Sequence, residues 1–464
     1  MARFHTVLVA NRGEIALRVM RGAAEAGLRS VAVYSDADVG APHVRGADSA
    51  VAIGPAPAAQ SYLSIPALLE AARRSGADAV HPGYGFLSER AQFAREVTDA
   101  GLVFIGPPAD VMEAMARKDR ARAIAVRAGV PVLPAADLAG VDADTPQGLA
   151  EIGRQVGFPL LAKAAGGGGG KGMRIVRTAD ELGDAVGSAR REAQSAFGDD
   201  TLLFERYVES GRHIEVQVVA DEHGHVAHLF ERDCSVQRRH QKVIEEAPAS
   251  LVSEAVRGLV RSSAVALTRE VGYVNVGTVE FLVAGEEAWF LEMNTRLQVE
   301  HPVTELVTGV DLVALQLSIA QGEPLPFDQE GITVSGHAIE ARVYAEDPYA
   351  GFLPQAGVAS FVQWPALARV DAALESGQHI ATEYDPMLGK VAVAAPTREA
   401  AGIALVGALD ETAILGLRTN VGFLRSIADS AAFRDGQIDT AWLDTVWLPD
   451  HAAETDLLVP EAAW

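Results

Sequence analysis

The chain has 464 residues, 49% of them apolar, and carries 39 basic residues against 62 acidic ones for a formal net charge of −23. That length calls for two or three packed domains, the apolar share excludes a disordered chain, and the acidity excludes a general surface for nucleic acid or an anionic membrane. No run approaches a membrane span or a signal peptide, so the expected location is cytoplasmic. The single cysteine, Cys234, excludes an intramolecular disulfide and a metal site built on cysteines.

Residues 1–113 alternate strand-like and helix-like runs: TVLVA, EIALRVMRGAAEAG, SVAVYS, PALLEAARRSG, ADAVHP, SERAQFAREVTDAG and LVFIG. This order predicts βαβ units on a parallel sheet. The ligand crevice of such a sheet lies at the carboxyl ends of its strands, where the loops NRGE and HPGYGF fall. A single glycine in the first loop, instead of G-x-G-x-x-G, argues against a dinucleotide site. Asp36 reads as a solvated strand end. Residues 114–330 form a second unit. It opens with a helical stretch ending at AGVPVLP, and Pro131 and Pro134 mark a hinge into a small lid at about 131–205. The runs HIEVQVVA, VGTVEFLV and AWFLEMN then predict an antiparallel sheet. A third, α+β unit begins near GHAIEARVYAED and covers 331–447, and residues 448–464 are expected to fray or begin a linker.

Only five basic residues are lysine, at 118, 163, 171, 242 and 390. Arginine serves wherever charge alone is needed, so each lysine is expected where a compact ammonium is required. Five glycines, residues 166–170, lie between Lys163 and Met173. Without side chains such a loop can fold over a polyphosphate and aim its N–H groups at the oxygens. It is not a Walker loop, because Gly172 follows Lys171.

In VGTVEFLVAGEEAWFLEMN, a turn at residues 285–287 pairs Glu280 with Glu292, Leu282 with Phe290 and Ala284 with Ala288. The two glutamates then share one sheet face, and Asn294 lies on it too. Two carboxylates and an amide beside a polyphosphate loop suit Mg²⁺, and the apolar companions Leu282 and Phe290 argue against a solvated face. Arg296, Gln298, Glu300 and His301 follow at once. Acid and base groups this close to a metal site read as a reaction centre for a small oxyanion. The run ERDCSVQRRHQKVIEEAP, with Arg238, Arg239, His240 and Lys242, reads as an anion pocket.

The runs VANRGEIALRV, HPGYGFLSE, KAAGGGGGKGM, ERDCSVQRRHQKVIEEAP, EMNTRLQVEHPVTE, GHAIEARVYAEDP and YDPMLGK resemble the biotin carboxylase family, the ATP-grasp component of biotin-dependent carboxylases. The motifs stand in family order from residue 4 to about 445, in wording most like the front part of an acyl-CoA carboxylase α subunit of the actinobacterial type. The resemblance implies a mixed α/β and α+β architecture: an ATP-grasp fold with an N-terminal Rossmann-like βαβ domain, a mobile lid and a C-terminal α+β body. It implies that Lys118, Lys163, Gly169 and Gly170 contact the ATP phosphates. Glu205, Arg206, Tyr207 and Val208 would meet the adenine, with Met173, His213, Gln237, His240 and Leu282 around the rest of the nucleotide. Glu280, Glu292 and Asn294 match divalent-metal positions for Mg²⁺ or Mn²⁺.

By the same resemblance, Lys242, Arg296, Gln298 and the backbone of Val299 match the bicarbonate pocket and Glu300 the general base. Arg342 matches the group that stabilises the biotin enolate, and Tyr84 the wall on the biotin side. Arg206 replaces the family's usual lysine, and Lys171 stands where arginine is also common. The biotin-attachment pattern, a lysine flanked by methionines, is absent, so biotin is expected on a separate carrier. The implied partners are a biotin carboxyl carrier domain or protein and a carboxyltransferase subunit, in a homodimer or a larger carboxylase complex. A different ATP-grasp ligase would keep the lysines, glycines and metal carboxylates but need not keep QVEHPVTE or HPGYGF. A non-catalytic ATP-binding subunit would be expected to lose the base or a metal carboxylate, and both are present.

Overall fold

The computed structural model describes residues 4–139, 141–166 and 173–448. The N-terminal strands β1 (Thr6–Val9), β2 (Arg29–Ser35), β3 (Ser49–Gly54), β4 (Ala79–His81) and β5 (Val103–Phe104) form one sheet in the order β3-β2-β1-β4-β5. All four pairings are parallel, as the alternating pattern requires. The strand absent from the sequence reading is β3, whose SAVAIG run is half exposed. The order reverses between β1 and β4, which opens a crevice at their carboxyl ends. There the loops NRGE and HPGYGF meet, with Asn11 Nδ2 donating to the carbonyls of Pro82 and Tyr84 at 2.8 Å each. Gly83 permits this approach, since a Cβ at that position would stand 2.9 Å from Asn11 Nδ2. Asp36 is exposed, as a strand end should be.

The proline segment connects two sheets. The N–H of Phe290 donates to Pro131 and that of Arg206 to Pro134, both at 2.8 Å, so the chain crosses from one sheet edge to another. The smaller sheet is antiparallel, β7-β6-β8, from β6 (Leu160–Ala164), β7 (Arg174–Val176) and β8 (Leu202–Arg206). The helices Pro146–Val156 and Leu182–Phe197 cover it through Ile152, Val156, Leu182 and Val186, packed on Leu160, Ala162, Val176 and Phe204.

The larger sheet contains β9 (Arg212–Ala220), β10 (Val226–Arg238), β11 (Gln241–Ala247), β12 (Asn275–Ala284), β13 (Glu287–Asn294) and β14 (His337–Tyr344), then the strands Met387–Ala395 and Arg369–Ala372. All eight are antiparallel neighbours in the order β13-β12-β9-β10-β11-β14, Met387–Ala395, Arg369–Ala372. One sheet therefore runs through both of the last two sequence units. Its floor is the helix Glu254–Val271, started by the Ser253 hydroxyl accepting from the Val256 N–H and ended by Gly272 at φ +68°. Val256, Val260 and Leu267 of that helix meet Ile214, Val216, Val218, Val279 and Phe281. Each such side chain contributes about 1.5–3 kcal/mol by burial. Period-two alternation then turns His213, Glu215 and Gln217 to the opposite, polar face. Among the described residues no single helix is long and apolar enough to cross a membrane.

The hairpin register departs from expectation in one respect. Glu280 does stand opposite Glu292, but Phe281 pairs with Phe290, Leu282 with Trp289 and Ala284 with Glu287. The turn contains two residues, Gly285 (φ +59°) and Glu286, and Leu291 is left without a partner. One extra residue in a strand inverts side-chain parity beyond it. Phe290 therefore joins Phe281 and Ala288 in the apolar floor and is no companion of the glutamates.

Candidate active site

The polar face of the large sheet is built outward from Arg232, which is fully buried. Its guanidinium donates to Glu215 Oε1 at 2.5 Å, Gln217 Oε1 at 2.7 Å, Thr304 Oγ1 at 2.9 Å and Thr278 Oγ1 at 3.1 Å. Glu215 is thereby fixed with its second oxygen toward Lys242 Nζ, 2.5 Å away. The same ammonium reaches Glu300 Oε1 at 2.6 Å and Glu280 Oε1 at 3.0 Å. Burial works to lower the Lys242 pKa, but the three carboxylates outweigh it and hold the group well above its ordinary value.

Glu300 is gripped on both sides, by Lys242 on Oε1 and by Arg342 on Oε2 at 2.9 Å. Burial would raise its pKa, yet Lys242, Arg342 and Arg232 hold it well below the usual carboxylate range, so it is ionised. Arg342 also donates through Nε to Glu245 Oε1 at 2.5 Å. Arg296 lies beside this centre, donating to Gln298 Oε1 at 2.9 Å, with its Nε 3.4 Å from Glu89 Oε2. His301 is buried, and burial followed by the charges of Lys390, Arg18 and Arg369 keeps it neutral. Behind Val299, Lys390 Nζ donates to the Val299 carbonyl at 2.7 Å and lies 6.0 Å from the centre of the Tyr84 ring. The Tyr84 hydroxyl donates to Glu14, so Tyr84, Glu14 and Lys390 form one wall.

The expected metal residues lie together at the β12–β13 edge. Glu280 is buried, 3.0 Å from His213 Nε2, and accepts from Asn294 Nδ2 at 2.7 Å. Burial is the largest single influence and lowers the His213 pKa, but the charge and hydrogen bond of Glu280 together with the charge of Glu215 outweigh it, and the net shift is upward. Glu292 is 41% exposed and faces Lys118 Nζ at 3.4 Å. Opposed carboxylates on neighbouring strands, with an amide beside them, fit a hard divalent cation that takes oxygen ligands. The Asn294 oxygen points to Arg296, 3.3 Å away, and its nitrogen to Glu280, so the amide joins the two sites.

The residues expected to meet the phosphates gather at the small sheet and the segment leading to it. Lys163 and Glu205 form a buried ion pair across β6 and β8. The Lys118 N–H donates to Ala165 at 2.8 Å, just ahead of the glycine run. Gly169, Gly170 and Lys171 lie outside the described residues. Met173 is half-buried at the entry to β7. Arg206 turns its side chain to solvent while its N–H bonds Pro134, and the Tyr207 N–H donates to Pro159 at 3.1 Å, with Val208 following. Gln237 is buried opposite Lys242, and Leu282 is half-buried beyond Glu280. His240 sits on the exposed β10–β11 turn at φ +66° and has no hydrogen bond or ion pair to the other candidates among the described residues. Arg238 stacks over Phe352 at 3.8 Å, away from the cluster around Lys242.

Sequence reasoning missed Glu215, Arg232, Glu245 and Glu14. A signal existed for Glu215: in HIEVQVV the polar residues His213, Glu215 and Gln217 recur with period two between apolar ones, which marks a strand with a polar face.

Three family descriptions match the chain: "Biotin carboxylase, N-terminal domain" over 3–112, "Carbamoyl-phosphate synthase L chain, ATP binding domain" over 117–328, and "Biotin carboxylase C-terminal domain" over 340–445. The biotin carboxylase of Halalkalibacterium halodurans is 48% identical over 443 residues, covering 95% of this chain and 97% of that protein. The mitochondrial methylcrotonoyl-CoA carboxylase subunit alpha of Oryza sativa is 50% identical over 443 residues, but the chain spans only 60% of its length. The biotin carboxylase domain dimer of Hydrogenobacter thermophilus 2-oxoglutarate carboxylase, solved with MgADP, ADP and bicarbonate, superposes with a TM-score of 0.91 at 42% identity, covering 97% of this chain and 99% of that one. The chain thus belongs to the biotin carboxylase family of ATP-dependent ligases and carries its ATP-grasp fold.

Proposed function

We propose that this chain catalyses the MgATP-dependent carboxylation of carrier-bound biotin by bicarbonate, through carboxyphosphate, as the first half-reaction of an acyl-CoA carboxylase. The observation that carries the reading is Glu300, an ionised, fully buried carboxylate held between Lys242 and Arg342. Glu300 takes the proton of bicarbonate. Held by two cations it is a weak base, so proton transfer gains driving force as Lys242 and Arg296 turn their charge onto the substrate oxyanion. That oxyanion attacks the γ-phosphorus of ATP, and ADP leaves. Carboxyphosphate then parts into CO₂ and phosphate. The phosphate takes the ureido proton of biotin, and the enolate, steadied by Arg342 against the Tyr84 wall, captures the CO₂. Glu280, Glu292 and Asn294 would hold the divalent ion, which neutralises phosphate charge when bound. Lys118, Lys163 and the glycine loop would position the polyphosphate. The dimer named for the Hydrogenobacter thermophilus domain supports a homodimeric or larger assembly, and the name of the rice relative supports carrier and carboxyltransferase partners.

Labelled bicarbonate tests the reading. The chain should label a separately supplied biotinylated carrier, with ATP and Mg²⁺ required and no acyl-CoA. Free biotin should serve poorly, since a tethered cofactor gains effective concentration. Transfer that needed an acyl-CoA, or that went ahead without biotin, would overturn it.

A further inference from the structure

Behind Arg342 the register of β11 and β14 sets Glu245 directly opposite Glu340. Both residues are fully buried. Glu245 gives one oxygen to Arg342 Nε, while its other oxygen and both oxygens of Glu340 have no hydrogen-bond partner among the described residues. Two ionised carboxylates so placed would repel each other across the ladder, with three of their four oxygens lacking donors among the described residues.

Among the described residues no cation forms an ion pair with Glu340, and the charges nearest it are committed elsewhere. On its own strand lies Arg342, already divided between Glu245 and Glu300. From Met387–Ala395 comes Lys390, whose Nζ is taken by the Val299 carbonyl and lies 3.5 Å from Glu14 and 3.9 Å from Asp371 of Arg369–Ala372. The helix His301–Thr308 contributes His301, which is neutral, and Glu305, which is engaged by Arg18 and Arg369. The reverse face of β14 is apolar, with Ile339, Ala341 and Val343 packed among Leu405, Leu409 and Leu424.

We infer that Glu340 and Glu245 hold one proton between them, chiefly on Glu340, and that this neutral carboxyl is a positioning group that leaves the Arg342 charge for Glu300 and the biotin enolate. The inference rests on the role proposed for Arg342. A second negative charge behind the guanidinium would draw it toward Glu245 and Glu340 and away from the reacting face. Burial is the largest cause raising both carboxyls above their ordinary values, opposed by Lys390 at Glu340 and by Arg342 at Glu245. The sign follows: the proton is kept at neutral pH and leaves as pH rises, so activity should fall on the alkaline side.

Infrared difference spectra of the full chain at neutral pH should contain the carbonyl stretch of a protonated carboxylic acid that Glu340→Gln removes. The ratio of Glu340→Gln to wild-type carrier carboxylation should climb with pH, approaching about tenfold per pH unit, the slope of one titrating proton. Taking the ratio cancels the titration of bicarbonate itself. Glu340→Asp should restore both the band and the alkaline limb. Should Glu340→Gln not fold, Glu245→Gln serves instead: its amide can donate to Glu340, so the acid band should titrate away at lower pH. An unchanged band in Glu340→Gln, or an activity ratio flat with pH, would overturn the inference. A wild-type chain that kept the band but carboxylated no carrier would instead refute the functional reading.

Discussion

The two ends of the site store charge in different ways. Among the described residues Lys163 at the small sheet pairs with the carboxylate of Glu205, and at the sheet edge Lys118 faces, among its contacts, the half-exposed Glu292. At the large sheet Lys242 has three carboxylate partners, and one of these, Glu300, is shared with Arg342. A pair such as Lys163 with Glu205 commits one cation to one anion, so a ligand phosphate that draws on the lysine disturbs a single contact. In the shared network, loss of one cation strands several buried anions. On the proposed function, the end that would take polyphosphate is suited to come and go and the end that would take bicarbonate to stay fixed, which is what charge stabilisation at a small oxyanion requires.

That contrast is best broken at Lys242. Lys242→Met should destabilise the fold by about 3–5 kcal/mol, the scale for leaving buried charges unpaired. Urea denaturation checks it, and a loss under about 1 kcal/mol would mean that the network relaxes freely. The pH dependence has a definite sign. Glu300 and Glu280 are held below their ordinary values, so the stability they contribute is present above the ordinary carboxylate range and is lost as pH falls through their folded values. Acid should therefore narrow the gap between wild type and Lys242→Met.

Glu300→Gln and Arg296→Ala should each cut the bicarbonate-dependent rate by roughly 10² or more, with nucleotide affinity retained. Wild-type turnover in Glu300→Gln would move the base elsewhere, first to His301. At the exchangeable end the effects should be smaller. Glu292→Gln should raise the Mg²⁺ concentration needed for activity while changing stability by less than about 1 kcal/mol, because its ion pair is partly exposed. An unaltered Mg²⁺ requirement would remove Glu292 from the metal site. Smallest of all, an ATP analogue should slow amide exchange between residues 163 and 173 without altering it around Glu300. Equal slowing at both places would erase the proposed difference between the two ends.

Much of this could be read from residue order. Alternating apolar runs specify the parallel N-terminal sheet because each strand and helix needs only its own period to declare itself. The rarity of lysine pointed to Lys118, Lys163, Lys242 and Lys390, and all four described lysines sit in ion pairs with acidic side chains of the site or its Tyr84 wall. The opposition of Glu280 and Glu292 was also legible from the hairpin, whereas the bulge at Leu291 was not. Nothing in the local pattern marks an extra residue, and the floor helix takes in Phe290 only once the sheet has formed.

By itself, then, the sequence determined the order of the units, the polar strand face and the identity of the residues crowded around QVEHP. Tertiary structure alone decided which charges share partners. Arg232 with Glu215 and Arg342 with Glu245 are contacts across sheet strands, and Glu340 has no hydrogen-bond donor among the described residues; each follows from a ladder whose register depends on packing across the whole sheet. A residue's type can be read locally. Its charge state depends on which neighbours burial forces upon it.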